Sequence, residues 1–156
     1  MRKKILPWIL TVLVTLTSPF VAYPEVNLDE LNEALGSEDR RTRRSAVKTL
    51  EQIVSDPQAV IPILANALRD EDEMVKESVT TILGKIGVDA VPTLIEALQD
   101  EDMRTRFYAA VGLSLIGPDA QYAVPDLINV LQDEKWIRRL EAARALKKVK
   151  GEATPS

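Results

Sequence analysis

The 156-residue sequence contains no cysteine and no histidine. The absence of cysteine excludes disulfides, thiolate metal sites, cysteine nucleophiles and a lipid anchor on a cysteine. The absence of histidine removes the commonest general base and the commonest transition-metal ligand. Aromatic residues make up only 4% of the chain. The core must therefore rest on Leu, Ile, Val and Ala, the residues with which helices pack on helices.

Other catalytic and ligand-binding patterns are also missing. There is no G-x-S-x-G motif and no Walker or Rossmann glycine pattern. The acidic tracts at 70–73 and 100–102 raise the alternative of a Ca²⁺ site. Calcium loops, however, need converging ligands and usually a glycine, whereas these acids stand where a helix begins. We predict no catalytic residue, no cofactor and no metal site.

The N-terminal 24 residues differ from the rest of the chain. Three basic residues at positions 2–4 precede an apolar run from Ile5 to Leu16, which Ser18 and Pro19 interrupt. This order is typical of a secretory signal peptide. Cleavage after Ala22 would place bulky Phe20 where a small residue is preferred, so an uncleaved membrane anchor is the alternative. If the chain is bacterial, both interpretations predict export to the periplasm, a lumen or the extracellular space.

The charge of the remaining chain restricts its partners. Of the 20 basic residues, three lie within residues 1–22, which leaves 17 against 24 acidic residues. An acidic domain argues against nucleic acid as the main partner. A membrane would be contacted only through residues 1–22.

A repeat of about thirty residues fills the rest of the sequence. Pro62, Pro92 and Pro125 mark equivalent points, 30 and 33 residues apart. We place the repeat domain at 25–151, with copies at about 26–58, 59–89, 90–120 and 121–151, and predict a disordered tail at 152–156. The first copy is degenerate, as expected of a terminal repeat. The leucines repeat with the prolines: Leu68, Leu98 and Leu131 form one set, and Leu83, Leu113 and Leu146 another.

Each copy predicts two helices. In the third copy, Pro92 begins an apolar stripe that continues through Leu94 and Leu98, and proline is tolerated in a first helical turn. A second stripe runs from Thr105 to Ile116. Gly87 and Gly117 are predicted to end two of the second helices. Stacked pairs of this kind form one continuous core, so the predicted fold is an all-α solenoid of about four helical hairpins.

The pattern AVPxLIxxLxDED, followed by a basic residue, small residues and IG, resembles the bacterial HEAT-like repeat, including the type found in phycobilisome bilin lyases. The resemblance covers roughly residues 26–151. It implies a right-handed solenoid whose second helices line the concave face, and a role in scaffolding or docking.

A basic residue recurs six positions after an acid in the turn of each of the last three copies. One interpretation is a basic ladder for an anionic ligand. The other, which the HEAT resemblance implies, is a structural ion-pair ladder that ties the turns of neighbouring repeats. The first copy has Arg43 but Ser37 in place of the acid. The pairs are Asp70 with Lys76, Asp100 with Arg106, and Asp133 with Arg139.

The outward positions of the second helices are the candidate interface. Two of them, three and seven residues past the turn acid, are apolar in the last two copies. A patch of this composition is typical of protein interfaces. The alternatives are that Trp136 and Leu140 cap the end of the stack, or that Phe107 belongs to the core. The predicted protein-binding residues are Met103, Phe107, Trp136 and Leu140.

The sequence thus predicts an exported protein-binding scaffold or adaptor without catalytic activity. One alternative is an accessory subunit of a bilin-lyase-like enzyme. The other is a membrane-tethered scaffold held by an uncleaved N-terminal helix. The partner is expected to be another protein.

Overall fold

The computed structural model describes residues 27–53, 56–132 and 136–151. The predicted signal segment, Asp133 and the predicted tail lie outside these residues. The described chain contains α-helices and short 3₁₀ segments, with no strand. The helices are α1 (Leu28–Leu35), α2 (Arg40–Gln52), α3 (Pro57–Ala67), α4 (Glu73–Ile86), α5 (Val91–Ala97), α6 (Met103–Ile116), α7 (Val124–Leu131) and α8 (Trp136–Val149).

Consecutive helices pair as hairpins, and the hairpins stack so that their first helices form one layer and their second helices another. The second helix of each hairpin packs on the second helix of the next, so α4 contacts both α2 and α6, and α6 contacts both α4 and α8. The first helices form the other layer, in which α3 contacts α1 and α5. The helices α2 to α8 bury apolar side chains between these layers, and the leucines of α1 are half-buried against them. The predicted all-α solenoid is confirmed.

The acidic turns begin the second helices. Asp39, Asp72 and Asp102 are the N-cap residues of α2, α4 and α6. Each side chain accepts hydrogen bonds from backbone amides of the first turn, such as that of Thr105 to Asp102 at 3.0 Å. Capping satisfies amides that have no partner inside the helix, and the negative charge suits the helix dipole.

The predicted glycine ends are confirmed for α4 and α6. Gly87 and Gly117 follow these helices with φ of 80° and 72°, a conformation that L side chains rarely adopt. A 3₁₀ segment then leads into the next first helix, at Gly87–Ala90 and at Gly117–Ala123. By length and composition Glu73–Ala97 resembles a membrane span. The turn at Gly87 divides it into α4 and α5, whose apolar faces line the core.

The repeated prolines occupy two different positions. Pro92 lies in the first turn of α5, and the equivalent proline lies in that of α7. The prediction of a first-turn position is wrong for Pro62, which lies inside α3. That helix begins earlier because Asp56 caps it and Pro57 occupies its first turn. Pro62 is exposed.

The core is a column of repeated leucines and small residues. Leu50, Leu83 and Leu113, at equivalent points of three second helices, are fully buried. Leu64, Leu94 and Leu127 are their buried counterparts in three first helices. Gly112 lets α6 approach α5, since a Cβ there would lie 2.9 Å from a methyl group of Leu94.

Candidate functional site

The ladder residues join neighbouring repeats. Nε of Arg43 lies 2.8 Å from Oδ2 of Asp70, and both side chains are buried. The guanidinium of Arg43 also donates to the carbonyl oxygens of Ser37 and Glu38 in its own turn. The first repeat, in which the sequence offers no acid six residues before the cation, therefore takes its acid from the second repeat.

Lys76 continues this arrangement one repeat further. Its Nζ lies 2.5 Å from Oδ2 of Asp102 in the third repeat, and the Lys76 side chain is only 4% exposed. The hydrogen bond from Lys76, assisted by Thr105, holds the pKa of Asp102 well below its ordinary range. The predicted pairing of Lys76 with Asp70 is thus wrong in register, because the flanking repeat brings its turn acid closer than the cation's own turn does.

The second predicted pair, Asp100 with Arg106, also differs from its expected geometry. Arg106 donates to the carbonyl oxygens of Asp100 and Glu101, as Arg43 does in the first repeat. The Asp100 carboxylate is paired with Arg69, at 2.6 Å. Asp133 lies outside the described residues, and Arg139 is exposed on α8. Since Arg43 and Lys76 are matched by carboxylates, these cations offer no unmatched charge to an anionic ligand.

The acidic tracts are likewise engaged. Asp72 caps α4 and is bound by Arg44 through two hydrogen bonds, of 2.8 and 3.0 Å. Burial alone would raise the pKa of Asp72, but the Met74 amide and Arg44 outweigh it and lower that pKa. Within the described residues, no group of three or more acidic side chains is placed to hold a metal ion.

The outward face of α6 carries an apolar stripe. Met103 is 39% exposed and Phe107 is 36% exposed. The stripe continues at the same four-residue spacing through Val111, which is half-buried, to Leu115, which is 52% exposed. Residues four apart lie one above the other on a helix. We call Met103, Phe107, Val111 and Leu115 the α6 stripe.

Phe107 and Tyr108 pack edge to face, with ring centroids 5.2 Å apart. Burial, together with the nearby Glu73 and Glu77, raises the pKa of Tyr108. The α6 stripe is therefore bordered on the α4 side by a half-buried aromatic ring and acidic side chains. On the same side of α6, Arg104 forms an ion pair with Glu73 of α4.

The other half of the predicted patch belongs to α8. This helix packs on α6, as the prediction requires. Trp136 and Leu140 lie on the α8 backbone, but their side chains are outside the described residues. The structure thus brings together Met103 and Phe107, and adds Val111 and Leu115. The sequence carries a signal for these two, because they extend the spacing of Met103 and Phe107 by two further steps of four.

A groove of about 420 Å³ separates α6 from α8 beside the lower half of the stripe. Ala110 and Ala145 are buried at its base, and Val111 and Leu115 line its α6 wall. Lys147 and Lys148 stand on the α8 side. The groove therefore combines an apolar interior with positive charge along one border.

The sequence profile of HEAT repeats matches residues 28–90 and 61–147, which together span most of the chain. The chain belongs to the HEAT-repeat family. HEAT repeats commonly form helical scaffolds that mediate protein–protein interaction, which is the role that the exposed stripe suits. No curated protein matches the sequence significantly.

A solved structure supports the HEAT-repeat fold. The chain is similar to the archaeal HEAT-like repeats protein from Thermococcus onnurineus, with a TM-score of 0.52 and 18% identity over 81% of this chain and 53% of that one. An engineered protein matches with a TM-score of 0.48 and 24% identity over 78% and 62% of the two chains. The complex of CpcE and CpcF of phycocyanin lyase from Nostoc sp. matches with a TM-score of 0.44 and 21% identity over 86% and 69%. This chain thus spans less than two thirds of the first two structures.

Proposed function

We propose that this HEAT-repeat chain is an exported scaffold that binds another protein through the α6 stripe and catalyses no reaction. The observation that carries the proposal is the exposure of Phe107 and Leu115 on the same face of one helix. Exposed apolar side chains arranged contiguously are typical of protein-binding surfaces, whereas isolated ones are common everywhere.

The stripe contributes little to the packing that holds the stack together, apart from the contact of Leu115 with Gly84 of α4. The α6 residues that hold the stack together are Thr105, Ala109 and Leu113, and all three are fully buried on the opposite face. Neither Phe107 nor Leu115 belongs to the buried core, and Leu115 is 52% exposed although it contacts Gly84. Their apolar side chains favour a surface that is covered in a complex.

Export is supported by the sequence of residues 1–22, which lie outside the described residues. The absence of catalysis is supported by the lack of any cysteine or histidine. A membrane-tethered scaffold differs only in the fate of the N-terminal segment. Mass spectrometry of the N-terminus of the mature protein separates the two, because cleavage removes residues 1–22 and tethering retains them. No observation on the described residues favours the accessory-subunit alternative, and we do not propose it.

The binding surface is tested by photo-crosslinking in cells. A benzophenone amino acid placed at Phe107 should join the chain to a specific partner. The same group at Glu96, which is exposed on α5 in the other helix layer, should not. Equal crosslinking at both positions, or none at Phe107, contradicts the proposal.

A double variant supplies the matched loss-of-function control. Phe107→Ser with Leu115→Ser should remove the partner crosslinked from a third position on the stripe, Met103. The midpoint of thermal unfolding should fall only slightly, because both side chains are exposed and serine keeps the Cβ with which Leu115 contacts Gly84. A large drop in the midpoint would place these residues in the core and overturn the assignment.

A further inference from the structure

The groove between α6 and α8 suggests what kind of segment the scaffold binds. We propose that it receives an acidic amphipathic helix, whose apolar side contacts Val111 and Leu115 and whose carboxylates face Lys147 and Lys148. This inference rests on the proposed function and specifies the partner of the same surface.

The shape of the surface favours a helix over an extended strand. A strand would bind by adding to the edge of a sheet, and the described residues contain no strand. A furrow between two packed helices accepts the ridge of a third helix. From Met103 to Leu115 the stripe rises about 18 Å, which is the length of about three helical turns. A partner helix of three to four turns would cover it.

The charge of the lining favours carboxylates. Lys147 is half-buried and Lys148 is exposed, and both line the groove. None of the described lining residues is acidic, and those that α6 contributes are uncharged. Residues 121–151 carry seven basic and four acidic side chains, in a chain whose net charge is −4. The groove is therefore bordered by a basic segment of an otherwise acidic domain, which steers acidic partners to this end of the stack.

The lysines also lie in the last turn of α8, where positive charge stabilises a helix through its dipole. The two roles make different predictions. A purely local role affects the stability of α8 and is indifferent to the charge of a ligand. A recognition role makes binding depend on the sign of the ligand's charge and on salt.

The test uses the purified chain with its natural N-terminus and a displayed library of helical peptides of about four turns. Leucine is fixed at positions i, i+4 and i+7, and the other positions carry Glu, Lys, Gln or Ala. The wild-type chain should enrich Glu-rich peptides. An enriched peptide should bind Lys147→Glu/Lys148→Glu about tenfold more weakly, and should lose affinity for the wild-type chain as salt is raised. Lys147→Gln/Lys148→Gln should fall between the two, with circular dichroism checking that α8 stays folded.

The outcomes separate the two proposals. Enriched peptides that require Phe107 and Leu115 but show no preference for Glu would overturn the acidic-helix inference and leave protein binding intact. Failure to enrich any peptide, with crosslinking at Phe107 still successful, would have the same consequence. Failure of both experiments would overturn both proposals.

Two other possible occupants of the groove, a membrane surface and a second copy of the chain, are distinguished by separate measurements. If the chain sediments with phosphatidylglycerol vesicles through the same lysines and enriches no peptide, the groove is a membrane contact. If sedimentation equilibrium shows a dimer that Phe107→Ser/Leu115→Ser dissociates, the occupant is a second copy. Either result overturns the inference.

Discussion

Gly84 of α4 lies directly against Leu115 of α6: a Cβ on Gly84 would stand 2.8 Å from the Cβ of Leu115. That distance is too short for two carbon atoms, so only glycine permits this approach of the two helices. Leu115 is also the most exposed residue of the α6 stripe. The contact with Gly84 therefore fixes the position of a side chain that we propose binds the partner.

Gly84→Ala should destabilise the protein, although alanine is the better helix former. Propensity alone predicts a gain of about 1 kcal/mol. Overpacking against the Cβ of Leu115 costs about 1–3 kcal/mol, so we expect a net loss in the free energy of unfolding measured with urea. Ser78→Ala, at an exposed position of α4, is the control and should stay within about 0.5 kcal/mol of wild type. If Gly84→Ala instead raises the free energy of unfolding by the full amount expected from helix propensity, α4 and α6 can move apart without cost.

The ion pair between buried Lys76 and half-exposed Asp102 is testable by a double-mutant cycle. Asp102→Asn should cost about 1–3 kcal/mol, because it leaves a buried ammonium without its carboxylate. Lys76→Met in the Asp102→Asn background should recover part of that loss, since it removes the unpaired charge. Coupling between the two changes, measured by urea unfolding, is expected to exceed about 0.5 kcal/mol. If the effects of the two changes simply add, the ion pair contributes nothing to the stability of the contact between the second and third repeats.

Acid should weaken the stack through the same carboxylate. In the folded state Lys76 lowers the pKa of Asp102 below its ordinary value of 3.8. The stabilisation that the Asp102 carboxylate provides is therefore fully present above pH 3.8. It is lost as the pH falls below that value and the carboxylate takes up a proton. Urea unfolding at pH 7, 4 and 2.5 should show the loss in wild type. The loss should be smaller in Asp102→Asn, and parallel curves would contradict this assignment.

The repeated leucines should dominate the stability of the hairpins. Leu83 and Leu113 are fully buried, so Leu83→Ala and Leu113→Ala should each cost about 2–5 kcal/mol. Thr81 is exposed on α4 and its hydroxyl donates to the Glu77 carbonyl oxygen. Thr81→Ala should change the free energy of unfolding by no more than about 0.5 kcal/mol. Similar costs at all three sites would show that the faces of α4 and α6 are misassigned.

Much of the fold is encoded locally and was therefore predictable. The stripe from Thr105 to Ile116 and the glycines that end α4 and α6 require only the three-to-four-residue period and the preference of glycine for positive φ. Pro62 shows the limit of this reasoning. Its position relative to the other prolines is regular, but an N-cap six residues earlier moves the start of its helix.

The ion pairs show why part of the site is not predictable from spacing. The register of Asp70 and Lys76 is a property of one repeat, whereas the choice of partner depends on how two repeats are offset in space. Lys76 consequently binds Asp102, and Arg43 binds Asp70. The α6 stripe is a different case, because Met103 and Phe107 already set a spacing that leads to Val111 and Leu115.

Most of the ion pairs between the described repeats run in one direction along the chain. Arg43 and Arg44 bind acids of the second repeat, and Arg69 and Lys76 bind acids of the third. In these pairs the earlier repeat supplies the cation and the later one the carboxylate, whereas the pairs of Lys85 with Glu51 and of Arg104 with Glu73 run the other way. The second repeat therefore carries both halves of the connection, with Asp70 and Asp72 binding the copy before it and Arg69 and Lys76 binding the copy after it. A gene that duplicates such a repeat can lengthen by whole repeats without inventing a new joint, and the length of the binding surface becomes a quantity that selection can adjust in steps.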